Sequence, residues 1–432
     1  MRRLVVTATL VAAAGLATSH AVVVPGYAIV GARIVAVSRP PIERGTVVIR
    51  GGEIVAVGDG TDAPGDVQRI EGAGLTVYPG LIDLHASAGV DQQTATAPQN
   101  PDSREITERF RRQQLLRAQV QAADLLQPDA VDLGKLASAG FANAVVVPAG
   151  EAIAGYSALI DVASQEIDPQ VGRLAIDLRG AMILRPAVAL HVAFPGRGFL
   201  GAYPASLMGG IAFVRQAFVD ARHYQQTSAL AETARSPYDA ALAAMGPAVG
   251  GKVPVAFEAS TPREIRRVLA FAKEFSVEPI IVGGHGAEDV VQELKVADAR
   301  VVVSVNYPIR PKDLASDADE PLEALQARAA ARRAAGALAA AKVPFGFGSV
   351  GLKDVKDFVA NVRVAVERGL TPDASIRALT LDAATLAGAG ASLGSIEPGK
   401  RANLLVTEGD LLDSKSKIKH VFVAGRLIAI RQ

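Results

Sequence analysis

Three side chains able to hold a metal ion or move a proton stand at or near the ends of strand-like runs. His85 closes the run Tyr78-Pro-Gly-Leu-Ile-Asp-Leu-His85. Glu258 interrupts the apolar Lys252-Val-Pro-Val-Ala-Phe-Glu258, and His285 follows Val277-Glu-Pro-Ile-Ile-Val-Gly-Gly284. Two imidazoles and one carboxylate form an acceptable zinc ligand set, and an ion held with one position open brings the pKa of bound water toward neutrality. Each residue also has a plainer reading. His85 can simply hydrogen-bond inside the fold. His285, flanked by glycines, can cap a strand end. Glu258 in an apolar strand calls for a partner, because burying an unpaired carboxylate is costly. A pair with His285, or with an Arg or Lys, would perturb its titration while being purely structural.

The remaining candidates are weaker. Gly283-Gly-His-Gly286 lacks both the spacing and the Lys-Ser/Thr of a phosphate-binding loop. His191 and His223 fall in an irregular stretch and read as surface or packing histidines; Tyr156, Tyr203 and Tyr224 read as core or pocket wall. Arg104 to Leu126 reads as a long helix, and its charges from Arg104 to Arg117 as a solvated face. With no cysteine in 432 residues, disulfides, thiolate ligands, a thiol nucleophile and an acylated lipoprotein anchor are all excluded.

The elements that must position these groups follow a clear order. Residues 1–21 carry Arg2 and Arg3, a short apolar stretch and Ser19-His-Ala21, the pattern of a cleaved export signal. The chain is therefore expected to be exported, periplasmic or extracellular, with no membrane span after cleavage. Loss of Arg2 and Arg3 leaves 43 basic against 44 acidic residues, so no bulk field attracts nucleic acid. Residues 22–78 read as strands and turns, with Gly51-Gly52 as a hairpin turn, and residues 395–432 return to that style. Between them, residues 79–394 alternate strand and helix, which implies parallel strands with right-handed crossovers. An irregular segment at about 151–251 reads as an insertion over the mouth, its tail from Ser228 to Gly251 a loop or lid. The resulting fold is α/β: a TIM-like (β/α)8 barrel plus a small β-sandwich domain formed by both chain ends. Active groups of such barrels sit at the C-terminal ends of the strands, where His85 and His285 fall.

Four motifs then carry a family resemblance: Gly45-Thr-Val-Val-Ile-Arg-Gly-Gly-Glu-Ile-Val-Ala-Val-Gly58, Pro79-Gly-Leu-Ile-Asp-Leu-His85, Leu379-Thr-Leu-Asp-Ala-Ala384 and Gly394-Ser-Ile-Glu-Pro-Gly-Lys-Arg-Ala-Asn-Leu-Leu-Val406. In these the chain resembles the amidohydrolase superfamily, in its secreted imidazolonepropionase-like branch. The resemblance implies hydrolysis of non-peptide C–N bonds by one or two divalent metals at the barrel mouth. It implies ligands from a His-x-His at strand 1, a bridging group on strand 4, histidines on strands 5 and 6, and an acid–base aspartate at strand 8. Here His85 matches the first histidine and Ser87 takes the place of the second. Glu258 stands at the strand-5 position, His285 at strand 6 and Val350 at the strand-8 aspartate; no bridging lysine can be placed. Valine neither binds metal nor moves a proton. Two expectations result. One is a non-catalytic barrel, binding a small molecule or serving as a homo- or hetero-oligomeric partner. The other is a mononuclear hydrolase in which His85, Glu258 and His285 hold zinc or another divalent metal.

Overall fold

A computed structural model describes residues 26–92, 104–162, 178–196, 203–228, 230, 236–315 and 317–428. The expected export signal at residues 1–21 lies outside them. No helix of the described residues is long and apolar enough to cross a membrane.

Both chain ends contribute to one eight-stranded sheet. Its N-terminal strands are β1 (Tyr27–Ile34), β2 (Ile42–Arg50), β3 (Glu53–Gly58), β4 (Gln68–Glu71) and β5 (Leu75–Pro79). The inner strands of the chain follow: β6 (Leu81–Ala86), β7 (Phe141–Val146), β8 (Ile153–Tyr156), β9 (Ala158–Asp161), β10 (Ile183–Arg185), β11 (Leu190–Val192), β12 (Val255–Ala259), β13 (Pro279–Gly283), β14 (Arg300–Ser304) and β15 (Phe345–Gly348). The C-terminal β16 (Leu404–Glu408), β17 (Lys417–Val423) and β18 (Arg426–Ile428) complete the terminal sheet, in the order β18-β17-β16-β5-β1-β2-β3 with β4 on β1. Backbone pairing thus joins the two ends in a single sheet, where the sequence predicts a sandwich. Gly51 and Gly52, at φ 56° and 88°, make the β2–β3 hairpin turn with backbone angles that side chains disfavour.

The inner strands form two sheets. One is six-stranded, β15-β14-β13-β12-β11-β8, with β11 to β15 mutually parallel and β8 antiparallel at its edge; the other is β10-β9-β7-β6. The expected eight parallel strands in one closed ladder are not seen among the described residues. Instead, Asp83 on β6 ties the two sheets together just beyond β15, its Oδ1 accepting from Ser349 N at 3.0 Å. Period-2 alternation sends Leu84, Ala189, Ala256, Ile280, Val282 and Val302 into a shared apolar interior. Gly348 must lack a side chain, since a Cβ there would meet Val302 Cγ1 at 2.8 Å and His85 Cβ at 3.0 Å.

Two helical expectations need correction. The long helix expected from Arg104 to Leu126 stops at Leu115 and resumes only at Ala122–Leu125. Between them the backbone serves β8 as a neighbour: Arg117 N donates to Ile153 O at 2.9 Å and Tyr156 N to Val120 O at 2.9 Å. Burying the edge of β8 is worth more than two further helical turns, because its amides would otherwise lack partners. Likewise the segment expected as a loop or lid from Ser228 to Gly251 is partly helical where it is described, at residues 236–251. Short helices at Ala240–Ala244 and Gly246–Val249 bury Met245 and Ala248 completely, and Tyr156 Oη donates to Ala244 O at 2.7 Å.

A buried carboxylate locks the terminal sheet to the inner strands. Asp161, at the end of β9, accepts at Oδ1 from Asn143 (2.9 Å) and Asn403 (2.8 Å), and at Oδ2 from Arg401 Nε (2.8 Å) and Nη2. Breaking such a pair strands a desolvated charge. Arg401→Ala is expected to cost about 2–3 kcal/mol in urea unfolding, below the fully buried range because the arginine side chain is 32% exposed. A loss within 0.5 kcal/mol would show the network to be dispensable.

Candidate functional site

The alternation that fills the interior also decides what reaches the mouth. Just before β11, Ala189 faces inward and His191 comes next on that face; on β12, Ala256 is followed by Glu258. The helix Pro262–Phe275 fixes the end of β12. Its Thr261 cap accepts from Glu264 N at 3.3 Å, and the Glu264 carboxylate accepts from Ser260 N and Thr261 N at 2.9 Å each. A cavity of about 270 Å³ lies above, lined by His85, Ser87, Gln92, His191, Glu258 and the apolar wall from Val147 to Ala154.

His85 and His191 meet edge to face, with ring centroids 5.4 Å apart. Burial lowers His85 to about 4 and puts His191 well below the usual imidazole range, with the neighbouring His85 adding to the second effect. Both rings are therefore neutral at pH 7. His191 is 7% exposed and its Nε2 is buried without a hydrogen-bond partner. Asp83, fully buried, accepts at Oδ1 from His85 N and Ser349 N, each at 3.0 Å, while its Oδ2 has no partner. Burial raises its carboxyl above the usual range. Glu258 is exposed toward the mouth, and the walls around it also raise its carboxyl.

His285 does not line this cavity. The chain leaves β13 through Gly283 and Gly284, both at positive φ (107° and 60°), and His285 Nε2 donates to Ser304 O at 3.0 Å. The plain strand-end role therefore describes it, and the expected pair with Glu258 is not formed. Val350 packs against the apolar interior, its carbonyl accepting from Ser304 Oγ at 2.9 Å. His85, Glu258 and His285 are not brought together. Among the described residues, no group of three or more His, Asp or Glu side chains is placed to hold a metal ion. The donors present thus do not fit the metal centre that the resemblance implies.

One mouth residue was misread from sequence. His191 is neither surface nor mere packing; its three-residue strand is too short for periodicity to reveal. His223 is exposed on the helix Leu207–Ser228. Arg111, expected on a solvated face, is 6% exposed and paired with Glu151 at 2.8 Å, at the rim of the cavity.

Comparison with known proteins agrees with this architecture. Residues 284–428 match the Amidohydrolase family model. A 68-residue stretch is 47% identical to adenine deaminase 3 of Rhizobium meliloti, covering 16% of this chain and 11% of that relative's length. Among solved structures, an amidohydrolase from Thermotoga maritima superposes with a TM-score of 0.75 at 19% identity, over 94% of this chain and all of the other. A putative prolidase from Bifidobacterium longum gives 0.57 at 18% identity, over 94% and 95%. A prolidase complexed with N-methylphosphonate-L-proline gives 0.56 at 20% identity, over 93% and 99%. The family model covers the C-terminal third of the chain, and the solved structures share its fold at 18–20% identity.

Two outcomes follow from the buried groups. Imidazoles held neutral contribute stability that is present above about pH 6.5 and lost as pH falls toward the lowered native values. Acid unfolding is expected to set in between about pH 6.5 and 4, and His191→Gln should flatten that loss; an unaltered profile would contradict it. Asp83 has the opposite sign, since its raised native pKa makes stability fall as pH rises above about 3.9. Asp83→Asn, which keeps an acceptor without the charge, should match or exceed the native stability at pH 7. Asp83→Ala should cost about 2–3 kcal/mol by orphaning two amides; equal losses in both variants would refute the acceptor role.

Proposed function

We propose that this chain is an exported amidohydrolase-family protein of the imidazolonepropionase-like kind whose barrel mouth binds a small molecule, with hydrolysis of C–N bonds weak or absent. The observation that carries the reading is the end of β15. Where the family resemblance calls for an acid–base aspartate there stands Val350, packed into the apolar interior. Asp83 and the two cavity histidines do not replace it. Asp83 is spent on two backbone amides, and His85 and His191 are poor bases once burial has lowered them. Ser87 in place of a second histidine removes a further donor from the same cavity.

The cavity itself remains well formed. Its apolar wall and few convergent polar groups are what small-molecule sites commonly present. A mononuclear hydrolase is the second reading, supported by the placement of His85, His191 and Glu258 around one cavity.

Elemental analysis with an activity screen separates the two. After dialysis, the purified protein should hold well under one zinc per chain and hydrolyse neither aminoacyl-proline dipeptides nor cyclic amides above background. One or two tightly held ions with measurable turnover would establish the second reading. In the double variant Ser87→His, Val350→Asp, zinc retention is expected to rise; no change would mean that the displaced His285 is the limiting defect.

A further inference from the structure

Glu258 is a mouth side chain that the fold does not use. It has no hydrogen-bond or ion-pair partner among the described residues, whereas Glu151, between the cavity-lining Gly150 and Ala152, pairs with Arg111 at 2.8 Å. Arg117 donates to Ala149 O at 2.8 Å. Gln92 is likewise committed, accepting from Ala149 N at 2.6 Å. The cavity lining therefore presents one uncompensated carboxylate, a wall of Val147, Pro148, Ala152 and Ala154, and a buried polar atom without a partner. That atom is His191 Nε2, on a side chain 7% exposed and without a partner.

Resting on the binding reading above, we infer that the mouth cavity is a site for a small organic monocation, a protonated amine with a short apolar body. The ammonium forms a charge-assisted pair with Glu258 and donates a second N–H to the lone pair of His191 Nε2, in the tautomer with the proton on Nδ1. Its apolar body lies on the Val147–Ala154 wall. A volume of about 270 Å³ falls below the roughly 300–1,000 Å³ of drug-sized sites, which restricts the ligand to the size of a simple amine. An anion is disfavoured on the same grounds, because among the described lining residues the unpaired formal charge it would meet is negative.

Isothermal titration of the full chain with butylammonium, butanol and butyrate tests this. Butylammonium should bind at least ten-fold tighter than either analogue. Glu258→Gln, at an exposed position that leaves the fold unchanged by circular dichroism, should remove that preference. His191→Phe should weaken butylammonium several-fold while sparing butanol. Binding of butyrate or butanol as tight as that of butylammonium, or a preference untouched by Glu258→Gln, overturns the cation assignment but leaves a small-molecule site. Absence of all binding also overturns it, and the zinc and turnover measurements then decide independently whether the mouth is a hydrolytic centre.

Discussion

A carboxylate buried at the seam between the two inner sheets holds the mouth cavity in shape. Asp83 Oδ1 accepts from His85 N on its own strand and from Ser349 N just beyond β15, each at 3.0 Å, across the gap where no ladder hydrogen bond closes the barrel. Ser349 Oγ returns a bond to His85 O at 3.0 Å. This small circuit fixes where His85 ends, how close Gly348 must come, and hence where Val350 starts. A group in that role is fully desolvated and committed to backbone amides, so it serves the scaffold rather than the chemistry.

A second buried carboxylate does similar work at the opposite boundary. Asp161 draws Arg401, Asn403 and Asn143 together, and Asn403 in turn receives Gly80 N at its carbonyl and Ala424 N at its side chain. The strand leading to His85 is thereby anchored to the C-terminal sheet. The architecture is close to that of the Thermotoga maritima amidohydrolase, at a TM-score of 0.75, with only 19% identity. Fold and donor set have different determinants.

Much of the scaffold was legible from residues alone, because alternation, turn glycines and strand–helix repetition are local signals. The Gly51-Gly52 hairpin and the strand character of both ends came from such patterns, while their joining in one sheet rather than a sandwich did not. The break after Leu115 was not legible, since it is imposed by the unsatisfied edge of β8, a partner distant in sequence. The same holds for His191, whose strand spans three residues, and for His285, where strand position was legible but the turn through Gly283 and Gly284 was not. Ser87 and Val350 could be read directly, being absences of a donor at positions fixed by neighbouring motifs. Convergence of side chains is a property of the folded mouth, and sequence placed Glu258 beside the wrong histidine.

The account comes down to a mouth that keeps its shape and its opening while lacking the donors for a hydrolytic metal. Anomalous diffraction at the zinc edge, from crystals equilibrated with zinc in excess of the protein, addresses this most directly. The account predicts no ordered peak among His85, His191, Glu258 and His285. A full-occupancy peak bonded there to three protein atoms would contradict it.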